Sequence, residues 1–464
     1  MSSISSTFPG SYSLESLAAR RNADRFASMR ETMEDLQRQM STGLKADDWV
    51  GLGGDRLPSL DVRSRMSLLD GYASVAQDAS LRLKVMDQTL SALDKSRRDA
   101  ATELNMDSYA LRSGGSTQGQ ILLSNRFRDA VDLLNQSVGD RYLFSGRSTD
   151  QRPVASADTI LNGSPPLIGL KQAIADRKTA DLAGGLGGLA VGVAGNVVTV
   201  TKPGAGGLTV SGANSFDFTT QPSEGATYSL TMTLGDGSTE TVTLTARSAA
   251  GVGSAAGSFA IGASSAATAA NFQTALTAAL TELAGTALPA ASALQASRDF
   301  FAGSIPGTVD WYLGDSTAAP RETALARLDD GDPVAIGAQA DEPALRAVLV
   351  HMGVMAAESF PPTDPLSPGR YDALRLRLGS GLSEPEGTPR VQFVQEQLAL
   401  AAVEVNTASE RNTAAKNLYQ TQLTEFEGVS LEETVAKLLS LQTQLQASYQ
   451  TTSMISQLSL VNYL

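Results

Sequence analysis

The sequence predicts a mainly α protein with an inserted β-rich module, its long N- and C-terminal helices packed as a coiled-coil rod. Three observations predict it. Apolar residues recur every three or four positions near both ends of the chain, the spacing of one helix face. One such pattern, from Ser59 to about Arg112, contains no proline and is longer than ordinary globular helices. Between the ends, residues 160–310 are rich in Gly, Ala, Ser and Thr and show two-residue alternation, the period of strands.

The elements follow in order. Phe26, Met29, Met33, Leu36 and Met40 form one face of a helix over residues 14–42, closed by Gly43. A loop occupies Gly43–Pro58. Val62, Met66, Leu69, Ala73, Ala76, Leu83, Met86, Leu90, Leu93, Arg97 and Ala100 then hold a near-heptad stripe. After Gly114-Gly115, a third helix over about Thr117–Val138 carries Ile121, Phe127, Val131 and Leu134. Arg141–Gly146 reads as a short strand and turn. Val197–Thr201 is a strand. Tyr228, Leu230, Met232 and Leu234 alternate with hydroxyl side chains, Gly235-Asp236-Gly237 turns, and Val242 and Leu244 resume the alternation, which is a hairpin. Thr268–Leu283 is an Ala-rich helix, and Pro343–Ser359 is another.

Helix returns over Val391–Thr424, breaks at Glu425–Val429 and resumes over 431–459. Ser430 and Glu433 have the spacing of a capping box. Leu431, Val435, Leu438, Leu441, Leu445, Tyr449, Ile455 and Leu458 then face one way. Burying such a stripe contributes roughly 10–20 kcal/mol as an upper bound. The apolar pattern continues through Leu460, Val461, Tyr463 and Leu464 without a polar tail. A chain end is ordinarily solvated, so this one is expected to need a partner. The resulting organisation is a helical part over 1–153, a β-rich module over 154–310, a mixed segment over 311–390 and a helical part over 391–464.

Composition narrows the function. The chain has 464 residues and a net charge of −13, so it lacks the cationic balance that nonspecific nucleic-acid binding needs. It has no cysteine and one histidine, which removes disulfides, thiolate chemistry and paired-histidine zinc sites. His351 lies in a helical stretch and reads as structural. Gly185–Ala190 matches G-x-G-x-x-A but follows a charged helical stretch where a dinucleotide fold needs a strand. Asp329-Asp330-Gly331-Asp332 lacks EF-hand ligand spacing and reads as a solvated turn, as Asp47-Asp48 reads as a loop feature. No catalytic, metal or cofactor-binding residues are expected, and the chain is not expected to be an enzyme. Residues 1–19 have neither a basic start nor an apolar core, so no cleaved signal peptide is expected. The longest low-polarity run, Leu182–Gly195, is too short to insert in a membrane.

Val429-Ser-Leu-Glu-Glu-Thr434, Leu441-Gln-Thr-Gln-Leu-Gln-Ala-Ser-Tyr449 and Leu458-Ser-Leu460 resemble the terminal helix shared by flagellins and hook–filament junction proteins. Val405-Asn-Thr and Arg411-Asn-Thr lie where that superfamily's penultimate helix falls. Ser41-Thr-Gly-Leu-Lys-Ala-Asp-Asp48 begins like the flagellin segment that follows the first helix, then departs from it. Gly139-Asp-Arg-Tyr-Leu-Phe-Ser-Gly146 followed by Pro153-Val154 resembles a segment typical of the third hook-associated proteins. Leu161-Asn-Gly163 followed by Lys171–Leu182 is similar to that family too. The resemblance covers about residues 14–153 and 391–464.

The resemblance implies a flagellin-like structural subunit joining hook to filament. Its terminal helices would assemble with other copies in a ring or helical tube, through Phe26, Met29, Met33, Leu36 and Met40 and the stripe from Leu431 to Leu464. The implied partners are the first hook-associated protein, flagellin and a cytoplasmic flagellar export chaperone. The implied location is the extracellular flagellum, reached by type III export. Flagellin itself is the nearest alternative. A secreted coiled-coil adhesin or effector is the alternative of another class.

Overall fold

The computed structural model describes residues 14–112, 115–248 and 257–461, with the side chains of 14–19 and 455–461 excepted. The chain is mainly helical, with a smaller share of sheet. It divides into two compact units, one of residues 1–76, 328–330 and 407–464 and one of 77–327 and 331–406.

The first unit holds α1 (Leu14–Thr42), α11 (Leu431–Val461) and parts of two long helices, α2 (Arg56–Met106) and α10 (Val391–Glu427). The predicted boundaries at 14–42, 391–424 and 431–459 lie within a few residues of those observed. Helix α2 stops at Met106, short of Arg112, because Asp107 turns its carboxylate to the backbone N–H of Gly119 (2.9 Å) at the next helix. Within this unit α2 and α10 are joined by Lys416 to Asp70 (2.5 Å). The loop 328–330 docks on them: Asn412 donates to the Leu328 carbonyl (2.8 Å), and Tyr72 donates to Asp330 (2.8 Å).

The second unit is built on helices whose buried positions alternate three and four residues apart. In α2 these are Leu83, Met86, Leu90, Leu93, Arg97, Ala100 and Leu104; in α10 they are Val391, Val394, Leu398, Ala401 and Val405. Gln395 of α10 reaches Ser91 (2.9 Å), which sets the two stripes face to face. Arg97 takes a core position because Asp94, Glu384 and the Leu382 carbonyl surround its guanidinium, the condition for burying a charge. Further helices complete this layer: α3 (Gln118–Leu134), α4 (Ala157–Asn162), α5 (Leu170–Leu182), α6 (Ser265–Gly285), α7 (Ala287–Phe301), α8 (Pro343–Ala357) and α9 (Ser367–Leu382). Helix α3 packs on α8, and α7 packs on α5, α8 and α9.

Two-residue hairpins join some of these helices: β1 (Ser137–Val138) with β2 (Arg141–Tyr142), and β3 (Gly163–Ser164) with β4 (Leu167–Ile168). The Tyr142–Gly146 segment is a packing node. Phe144 and Ser145 are fully buried, and Gly146 has φ +67° with its Cα so close to the Asp315 carbonyl that any Cβ would collide. Glycine is needed there for both reasons.

The longer strands are confined to residues 190–260. β5 (Ala190–Ala194), β6 (Val197–Thr201) and β8 (Ser215–Asp217) form one antiparallel sheet. A second has the order β11 (Ser258–Ala260), β10 (Thr239–Arg247), β9 (Thr227–Thr233), β7 (Thr209–Val210), with β10–β11 parallel. The hairpin predicted from alternation is β9–β10, paired from Thr233↔Thr239 to Thr227↔Thr245. Gly237, at φ +84°, makes its turn. Leu230, Met232, Leu244 and Ala246 point to a core closed by Phe272, Leu276 and Leu280 of α6. Phe216, Phe218, Tyr228, Phe259 and Phe272 cluster there, with ring centroids 4.9–6.3 Å apart. Residues 157–162, 170–182, 265–285 and 287–301 are helical, so the longer strands fill only the middle of 154–310. The charged helical stretch before Gly185 is α5, whereas the alanine density of α7 hides that helix from pattern reading.

Candidate assembly surface

Helices α1 and α11 lie side by side, antiparallel. Their register is set at the base, where the chain turns after each helix of the unit. Lys45 N–H donates to the Glu427 carbonyl (2.7 Å) and Val429 N–H to the Gly43 carbonyl (3.0 Å). Gly43 adopts φ +73° to make this possible. Thr424 closes on the other side, where its carbonyl would collide with any Cβ at Gly428.

A charged node locks this base. The Glu427 carboxylate accepts from Ser59 and from Arg63 Nε (2.8 Å). These bonds, with Arg63 foremost, hold its pKa below the usual glutamate value. The Arg63 guanidinium also lies over the Trp49 ring, 5.3 Å from its centroid, a cation–π contact. Lys45 Nζ bridges Asp55 (2.9 Å) and the Glu425 carbonyl (3.1 Å).

Along the pair, the predicted residues separate into two sets. Leu36, Leu438 and Leu445 are buried, and Phe26, Met29, Met33 and Leu441 are half-buried. Thr434, which the pattern missed, is also buried. Positions 434, 438, 441 and 445 are spaced four, three and four apart and make the seam. Phe26 stacks on Tyr449, centroids 5.2 Å apart and 16° from parallel. The second set is exposed: Met40, Leu431, Val435 and the outer side of Tyr449, joined by the unpredicted Leu439.

Within the single chain the stripe is therefore covered along one edge only. At the helix repeat, positions 431, 435, 439 and 449 lie roughly 60–140° round from the seam. One neighbouring helix cannot cover so wide a face. Of the remaining predicted residues, Ile455, Leu458, Leu460 and Val461 have side chains outside the described set, and Tyr463 and Leu464 lie outside the described residues. The Ser430 hydroxyl receives the Glu433 N–H (3.4 Å) and so caps α11.

The weaker motifs resolve locally. The residues around Gly185–Ala190 form an irregular left-handed turn after helix α5, with Gly187 packed on Leu208. Asp329 pairs with Arg411 (2.8 Å). His351 is buried in α8 and directs Nδ1 to the Ala347 carbonyl (2.6 Å). Among the described residues no three acidic or histidine side chains converge as around a metal ion, and no helix is long and apolar enough to cross a membrane. Compared with known protein families and characterised proteins, the chain matches no family model and no characterised protein.

Proposed function

We propose that this chain is a structural subunit of the bacterial flagellum, of the class that joins hook to filament, and that α1 and α11 are its assembly element. In the assembled state these helices would form the coiled-coil core of a flagellin-like ring or tube. The observation that carries the reading is the apolar face left open beside the α1–α11 seam, at Met40, Leu431, Val435, Leu439 and Tyr449. Contiguous exposed apolar surface marks an interaction site. Its position in the very segments that resemble flagellar terminal helices joins the physical and sequence arguments. A heterologous contact of this kind repeats into a ring or a helix. Neighbours in such an assembly would be other copies, the first hook-associated protein and flagellin, and a chaperone would cover the same face before export.

Immunogold microscopy of intact flagella with an antibody to residues 195–300 tests it. A single band at the hook–filament boundary is the expected result. Label along the filament would make the chain a flagellin, and unlabelled flagella would overturn the reading.

A further inference from the structure

A cleft of about 590 Å³ in the second unit lies between α7, α8, α9 and the β9–β10 turn. Its size is that of a small-molecule site. Buried Leu294, Val348 and Leu382 line it. Three guanidinium groups reach it. Arg97 is neutralised by Asp94 and Glu384 (3.1 Å). Arg377 is neutralised by Asp236 (3.1 Å) and Glu240 (2.9 Å). Arg298 differs: it donates to the Asp236 backbone carbonyl (2.9 Å), and among the described residues it has no carboxylate partner.

His351 also borders the cleft and is nine-tenths buried. Because Nδ1 faces a carbonyl 2.6 Å away, it carries the proton, and Nε2 presents a bare lone pair. Among the described residues no donor meets Nε2. Any Cβ at Gly381 would overlap that nitrogen, so only glycine fits beside this edge of the ring and leaves Nε2 room for a ligand atom. Burial, with a contribution from the nearby Arg298 charge, pushes the imidazole pKa down to about 4, which keeps Nε2 an acceptor near neutral pH.

We propose that this cleft binds a small amphiphilic hydroxy acid, its carboxylate on Arg298, its hydroxyl donating to His351 Nε2, and its aliphatic body against Leu294, Val348 and Leu382. The charge pattern selects a monoanion. Four carboxylates already occupy Arg97 and Arg377, so Arg298 alone offers donors to an anion, and a dianionic phosphate would face those four carboxylates with a single free guanidinium. A neutral imidazole acceptor in turn requires a donor on the ligand. The cleft is preformed, since Ser297 of α7 bonds the Val350 carbonyl of α8 (3.1 Å) and Arg377 holds the β9–β10 turn through Asp236, Ser238 and Glu240. The proposal is independent of the flagellar reading.

His351 is the chain's only histidine, so ¹⁵N-histidine labelling of the full chain gives a one-residue reporter. The probe is 3-hydroxydecanoate below its micellar concentration, with decanoate, decanol and inorganic phosphate as controls. A saturable shift of the Nε2 resonance with the hydroxy acid is expected, weaker with decanoate and absent with phosphate. The exposed substitution Arg298→Gln should weaken binding about tenfold, the loss of one charge-assisted bond. An Nε2 resonance that stays fixed at millimolar hydroxy acid overturns the proposal. So does an equal shift with decanol, or with Arg298→Gln, which would mean partition without recognition.

Discussion

Phe26 and Tyr449, drawn from opposite ends of the sequence, stack with their ring centroids 5.2 Å apart and 16° from parallel. Such a pair contributes about 0.5–1.5 kcal/mol beyond its buried area. It fixes the antiparallel register of α1 and α11 at the end remote from the Gly43–Val429 pairing. The seam between these two anchors is thin, with Leu36, Leu438 and Leu445 its buried apolar side chains among the described residues.

That thinness makes the pair sensitive to single truncations. Leu445→Ala should cost about 2–4 kcal/mol, since it removes a buried side chain that has few neighbours to replace it. Amide hydrogen exchange in residues 20–42 should accelerate strongly, while exchange in residues 190–247 stays unchanged. Unaltered protection in α1 would mean that the seam does not hold the two helices together.

Glu427 makes the base of the pair acid-sensitive. Folding lowers its pKa through Arg63 and Ser59, so the stabilisation is complete above the ordinary value of 4.5 and is lost as pH falls through the lowered one. Urea unfolding followed by exchange in α1 and α11 should show a midpoint that drops on acidification through that range. Glu427→Gln keeps the shape but loses the charge, so its midpoint should start lower and vary less. A wild-type midpoint indifferent to acid would remove Glu427 from the account.

His351 gives the second unit its own pH dependence, at a higher pH. Its folded pKa of about 4 lies below the ordinary 6.5, so the unfolded chain takes up the proton first as pH falls. Stability is complete above 6.5 and declines towards 4, by about 3 kcal/mol as an upper bound. Arg298 is the nearby charge that contributes to the lowering. In His351→Gln the decline between those two values should vanish from denaturant unfolding of the second unit, while the decline due to Glu427 remains in the first.

What the sequence revealed and what it hid divide along physical lines. Periodicity exposes an element when one face is apolar and the other polar, as in α1, α11 and the β9–β10 hairpin. It fails where a helix is surrounded by other helices. In α7, Ala290, Ala291, Ala293 and Ala296 are all buried, so no polar face marks the period. The terminal stripe was legible as apolar but not as two surfaces. Thr434 is buried and Leu439 exposed, the reverse of what hydrophobicity predicts. Only the position of α1 decides which edge of a wide stripe is covered. The cleft beside His351 was not legible at all, since Arg298, His351 and Arg377 lie on three helices and share no sequence spacing.

The open edge of that stripe yields the sharpest test of assembly. Leu431→Ser, Val435→Ser and Leu439→Ser together replace exposed apolar side chains, leaving Leu438, Leu441 and Leu445 in the seam. Because each position is already solvated in the single chain, the combined change in stability should stay within about 1 kcal/mol. Assembly should suffer far more, since each copy would lose the apolar area that buries against the next. Circular dichroism melts of the purified chain should therefore overlay those of the wild type, while cells carrying the triple variant lose their filaments. Leu445→Ala is the counterpart, with a lowered melt and the apolar edge intact. Normal filaments on the triple variant would place the assembly surface elsewhere on the molecule, and a lowered melt would show that the edge packs against the chain's own residues.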